Sequence, residues 1–231
     1  MQSVPSQILL WLAGWLNQRK LEEVVYHVVR RRAERLRPAE SLSFLFRLDM
    51  AFYSLQSGSA ITYEQGVHPK HRLTSYHEFF VERIAMGEMV IDVGCGIGTV
   101  AYDIARQAGA RVDAVDYNPE SIARAQQMYS HPSLRFMIAD ALLMEVEESY
   151  DTVVLSNVLE HIEDRPEFLR HLAKQTGAPR FLIRVPVFER DWRVALKREL
   201  GVEERLDLDH KTEYTLESFA AEAIEAGLEV R

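Results

Sequence analysis

Between residues 89 and 188, short apolar runs alternate with amphipathic stretches, and this rhythm limits the folds open to the chain. "MVIDV" (89–93) leads into a helical pattern over 98–108, and "RVDAVD" (111–116) into another over 119–129. "LRFMIAD" (134–140) and "YDTVVLSN" (150–157) follow, then a helix over 164–175, the run "RFLIRVPVF" (180–188) and a last helix over 215–226. Strands joined by helical crossovers lie parallel, with helices on both faces of the sheet. The expected class is α/β, a doubly wound, mostly parallel sheet with a helical N-terminal extension. The boundary is expected near residue 70, giving a helical part over 1–70 and an α/β core over 71–231. In the N-terminal part, Leu21, Val24, Val25 and Val28 recur at helical spacing, so residues 6–37 read as one or two helices ending at Pro38. A helix over 39–56, a loop between Gly58 and Gly66, and a helix over 71–84 complete the reading.

Composition narrows the class of protein. Of 231 residues, 47% are apolar and 27% charged, the balance of a globular chain with a sizeable core. The net charge of −8 argues against a general nucleic-acid binder. The single cysteine, Cys95, forms no internal disulfide and fits a reducing, cytoplasmic setting; between two glycines it reads as a packed small residue. No secretory or transit signal is apparent, and the nine apolar-rich residues "ILLWLAGWL" (8–16) fall short of the ~30 Å core of a bilayer.

The first strand runs into Gly94, Gly96 and Gly98. A dinucleotide turn has the spacing G-x-G-x-x-G, and Thr99 stands where its last glycine belongs. Asp116 ends the second strand, 18 residues past Gly98, where a carboxylate accepts hydrogen bonds from ribose hydroxyls; the other reading is a cap for the helix starting at Pro119. Asp140 ends the third strand, placed to accept from an adenine amino group. A glycine turn and two acids thus share the carboxyl edge of the sheet, where open α/β folds bind ligands.

On these residues the stretch 89–188 resembles the class I S-adenosylmethionine-dependent methyltransferases. "VIDVGCGIGT", "VDAVDYNPESIARAQ", "FMIADALLM" and "YDTVVLSNVLEHIED" are similar to four of that family's motifs, in order, and the likeness extends over roughly 75–228. It implies a Rossmann-like methyltransferase fold and S-adenosylmethionine as cofactor. Gly94, Gly96 and Gly98 would face the cofactor's amino-acid end, with Asp92 behind them. Asp116 would take the ribose, and Asp140 with Ala141 the adenine; Tyr117, Asn157, Arg72 and Tyr76 join the implied cofactor contacts. The family's sheet closes with two more strands, whereas this sequence stops at "GLEVR", so a truncated chain or a missing final hairpin is expected.

For chemistry, the segment after the fourth strand offers His161 as general base, with Glu160 beside it; a purely structural histidine is the alternative. Glu160, His161 and the distant His210 in "LDHKTEYT" also resemble the metal ligands of small-RNA terminal ribose methyltransferases, with Asn157 where those carry a further glutamate. That loss weakens a hard divalent cation; the other reading has His210 capping or hydrogen-bonding the loop over the substrate. "HPKHRLTSYHEFF" (68–80) brings His68, Lys70, His71, Arg72, Tyr76 and His77 to the core, and 185–200 offers Trp192, Arg193 and Lys197 as acceptor contacts. The segment 8–37, with Trp11, Trp15 and the basic run 30–32, has three readings: a lid, a homodimer interface or a membrane-surface helix. Three functions follow: O-methylation of a small molecule such as a sugar or specialised metabolite, 2′-O-methylation of an RNA ribose, and a non-catalytic module that binds S-adenosylmethionine.

Overall fold

The computed structural model describes residues 14–146, 148–188, 191–205 and 207–231. Contacts divide the chain into two units. One contains residues up to 58 together with 196–204, and the other 59–195 with 205–231.

In the first unit, α1 (Gln18–Ala33) starts at Asn17, whose side chain accepts from the Lys20 N–H and satisfies an orphan donor. Its last turn carries Arg30, Arg31 and Arg32, the sign that a helix C-terminus favours. The next helix, α2 (Pro38–Tyr63), differs from the sequence reading at both ends. Pro38 opens it rather than closing the previous one, because a first helical residue needs no N–H partner. Gly58 lies inside it, and the chain turns only at Gln65 and Gly66, both at positive φ. Phe46 is buried beneath the Lys197 ammonium, 5.7 Å from its ring centre, while α1 buries no residue. Trp15 is exposed, and Trp11 with the rest of 8–13 lies outside the described residues.

The second unit is the α/β core. The expected helix over 71–84 is two single turns, α3 (Lys70–Leu73) and α4 (Glu78–Val81), separated by Ser75 at φ +47°. Five strands follow: β1 (Met89–Val93), β2 (Arg111–Asp116), β3 (Leu134–Ile138), β4 (Thr152–Ser156) and β5 (Arg180–Arg184). They form one sheet in the order β3-β2-β1-β4-β5 with every pairing parallel. The crossovers carry α5 (Thr99–Asp103, continued as a π-turn over Ile104–Ala108), α6 (Pro119–Met128) and α7 (Arg165–Thr176); α8 (Trp192–Glu199) and α9 (Leu216–Glu225) come after β5. Past β5, Val187 makes one further parallel bridge, to Tyr214.

Two-residue alternation sends the strands' side chains to opposite faces. Ile91, Val93, Val153 and Leu155 pack with Phe168, Leu169 and Leu172 of α7; Val90, Val112, Ala114 and Val154 pack with Ala101 and Ile104 of α5 and with Phe80. Burial on both faces explains why these strands read as continuous apolar runs. It also isolates Asp92, which shares the face of Val90 with almost no contact with water. Among the described residues, no helix is long and apolar enough to cross a membrane.

Candidate functional site

Parallel strands finish at one edge; the chain runs outward from β1 through β2 to β3 and then crosses to β4 on the other side of β1, so a crevice opens at this reversal beside β1. The glycine bend sits there. Gly94 and Cys95 donate their N–H groups to the Val115 carbonyl at 2.8 and 3.0 Å. The Gly96 N–H donates to Asp116 Oδ2 at 2.8 Å, and Asn118 N–H to Oδ1 at 2.8 Å. Asp116 therefore braces the bend with both oxygens, each of which keeps a further lone pair for a ligand. Gly96 and Gly98 have φ of +54° and +79°, a region that side chains disfavour. A Cβ on Gly98 would lie 2.4 Å from the Phe136 ring, whereas one on Gly96 would meet no atom within 4 Å. Gly98 is thus needed for packing, and Gly96 borders open space.

Beneath the bend, Asp92 is 1% exposed and its Oδ2 has no hydrogen-bond partner. Burial, and secondarily the Asp116 carboxylate, push its pKa up to about 7. The same surroundings push the Cys95 thiol upward, burial first and Asp92 next, so the sulfur is a packed and unreactive group. Two carboxyls this close repel the pyrophosphate of a dinucleotide. They suit a ligand with a cationic end and ribose hydroxyls, for which Asp92 holds an unused acceptor. Farther along the edge, Asp140 is exposed and its Oδ1 accepts from the Leu142 N–H at 2.9 Å, with Ala141 half-buried beside it. Tyr117 is 76% exposed.

Beyond β4, Asn157 adopts φ +61°. Its side-chain N–H donates to Glu160 Oε1 at 2.9 Å, and its carbonyl oxygen accepts from Arg184. Glu160 is fully buried, with Oε2 unpartnered. The 3-10 turn Leu159–His161 and the loop before α9 bring Glu160, His161 and His210 together, with one ligand-type atom from each inside 4.8 Å. The His161 and His210 rings meet edge to face at 4.8 Å. Behind them His210 Nδ1 lies 2.8 Å from Glu213 Oε1, both groups buried, which leaves Nε2 to face the cluster.

The N-terminal flank of the core forms a second network. Asp103 Oδ2 lies 2.6 Å from His77 Nδ1, His77 Nε2 lies 2.9 Å from His71 Nδ1, and His71 Nδ1 is 2.7 Å from the Tyr76 hydroxyl and 3.2 Å from Thr99 Oγ1. Burial first, then His77, drops His71 to about 4, so it is neutral near pH 7; burial raises Tyr76 to about 12. The structure brings Tyr76 toward the bend in this way. Arg72 is directed elsewhere, into an ion pair with Glu64. Trp192 is exposed, Arg193 pairs with Asp191 at 2.6 Å, and Lys197 belongs to the other unit, over Phe46.

The sequence reading missed Arg184, Glu213 and the relay through Asp103. Arg184 had a usable signal, a charged residue ending an apolar strand, the same feature that marked Asp116.

Residues 90–176 match the family described as "Methyltransferase domain". The all-parallel sheet and the four motifs at its carboxyl edge agree with that match. This stretch is a methyltransferase domain, similar to those of the class I S-adenosylmethionine-dependent enzymes. The chain is 28% identical over 97 residues to norajmaline N-methyltransferase of Rauvolfia serpentina, covering 39% of the present chain and 33% of that protein. It is 34% identical over 94 residues to ubiquinone biosynthesis O-methyltransferase of Pseudomonas entomophila, covering 38% of the chain and 40% of that protein. It therefore spans well under half of these relatives, which carry nitrogen- and oxygen-methylating names. Among solved structures, its fold matches magnesium protoporphyrin IX methyltransferase from Synechocystis with bound SAH, at 23% identity and a TM-score of 0.54, over 70% of this chain and 74% of that one.

Proposed function

We propose that the protein transfers a methyl group from S-adenosylmethionine to a hydroxyl oxygen of a small molecule. The observation that carries the reading is the buried, half-unpartnered Asp92 beneath a glycine bend with clear space at Gly96. When bound, the cofactor supplies an electrophilic methyl group on a cationic sulfonium. Asp92 is the acceptor for its ammonium, Asp116 for its ribose hydroxyls, and Asp140 with Ala141 for its adenine. Tyr117, Tyr76 and Asn157 flank these contacts. Orientation of the two reactants is the enzyme's main contribution, an effect that supplies about 7–11 kcal/mol of barrier lowering. His161 takes the hydroxyl proton, and Glu160, inside the same cluster, stabilises the imidazolium that results.

A second reading rests on that cluster. Glu160, His161 and His210 are the donor set of a divalent cation, with Glu213 orienting His210, and the acceptor is then the terminal ribose of an RNA. Asn157 supplies no anionic ligand and the chain's net charge is −8, both of which favour the first reading.

The test uses cofactor labelled in its methyl group, offered with a panel of hydroxylated metabolites and with an RNA oligonucleotide, each with and without EDTA. Label in a small hydroxylated acceptor, undiminished by EDTA and lowered roughly 10²–10⁴-fold by His161→Ala, is the expected result. Label in RNA that disappears with EDTA would establish the second reading. Cofactor binding without label in any acceptor would make the protein a non-catalytic binding module.

A further inference from the structure

We infer that the methyl acceptor carries a carboxylate on an otherwise apolar body, and that Arg184 is the residue that recognises it. The inference rests on the methyltransferase reading and adds the class of acceptor.

A cavity of about 360 Å³ opens at the end of β5, a size suited to a small molecule rather than a polymer. Tyr76, Phe79, Val187, Tyr214 and Phe219 give it apolar walls, and Arg184 is the one charged residue among those lining it. The strand register explains the position. Arg184 is paired with Ser156 at the ends of β5 and β4, so it stands beside Asn157 and one short segment away from Glu160 and His161.

The guanidinium has contacts that orient it without neutralising it. Asn157 accepts from it through a neutral carbonyl oxygen, and the Tyr76 ring lies under it with 4.1 Å between the guanidinium carbon and the ring centre. Among the ion pairs of the described residues, none joins Arg184 to a carboxylate. Its nearest link to an acid passes through the Asn157 amide, whose other end donates to Glu160. The Tyr76 platform is itself fixed, through His71 and His77, to Asp103. A cation held rigidly against aromatic carbon, with its forked donors uncommitted to any acid, favours a planar carboxylate from outside. One such contact also fixes how the acceptor lies in the cavity, which makes Arg184 a specificity residue.

The test is calorimetry on the full chain saturated with S-adenosylhomocysteine. The probes are caffeate and 3-hydroxydecanoate, each beside its uncharged methyl ester. At least one acid is expected to bind roughly tenfold or more tightly than its ester. Arg184→Gln erases that preference, Arg184→Lys restores part of it, and neither changes affinity for S-adenosylhomocysteine. Acid and ester binding alike, or no binding of either acid to the loaded protein, overturns the inference. So does a loss of S-adenosylhomocysteine binding in Arg184→Gln, which would assign the arginine to the cofactor. Failure of the unaltered protein to bind S-adenosylhomocysteine is a separate result, and it removes the methyltransferase reading itself.

Discussion

The most informative single residue is Asp92. Its ordinary pKa is 3.8, and the folded chain raises it to about 7, chiefly by burial. Below the lower value the group is protonated whether the chain is folded or not. Between the two values the unfolded chain releases the proton and the folded one retains it. Stability therefore falls as pH rises across that window, and the penalty is complete above about 7. Asp92→Asn removes the penalty. Its urea unfolding curve is expected to match that of the unaltered protein near pH 4 and to lie at higher stability at pH 8, by on the order of 4 kcal/mol. The same variant should bind S-adenosylhomocysteine at least tenfold more weakly, having lost the anion proposed to meet the ligand's ammonium. Equal pH dependence in the two proteins would contradict the burial argument. More stable and less able to bind is the signature of a group kept for function.

At the scale of elements, the glycine bend separates packing from binding. Ala at position 98 meets the Phe136 ring and a left-handed backbone together, so Gly98→Ala is expected to lower the melting temperature strongly. Gly96→Ala carries only the backbone penalty, about 1–2 kcal/mol, because its methyl enters open space. It should remain folded while S-adenosylhomocysteine affinity falls more than tenfold, and circular dichroism melts with calorimetry read both effects. The strands were legible because burial on both faces leaves unbroken apolar runs, and the acids because a charge at the end of such a run has few other uses. The helices were less so. Pro38 and Gly58 read as breaks in the sequence, yet a first-turn proline and an exposed mid-helix glycine are both tolerated. The break at Ser75 is a single left-handed residue, which periodicity does not register.

For the whole molecule, the candidate site is assembled from distant parts of the second unit, and this limited what spacing alone revealed. His77 and Asp103 are 26 residues apart, and Glu160 and His210 are 50 apart, so neither pairing has a local pattern to read. The carboxyl edge of the sheet gathers them. The acids under the glycine bend, the cluster around Glu160 and the cavity at Arg184 lie along one rim of one sheet. The proposed activity depends on that rim receiving an adenosyl group with a cationic end, and on its rejecting a dinucleotide. Isothermal calorimetry of the full chain with S-adenosylhomocysteine and, separately, with NAD tests it most directly. Saturable heat at one equivalent of S-adenosylhomocysteine and none with NAD is the predicted result; saturable heat with NAD and none with S-adenosylhomocysteine would contradict it.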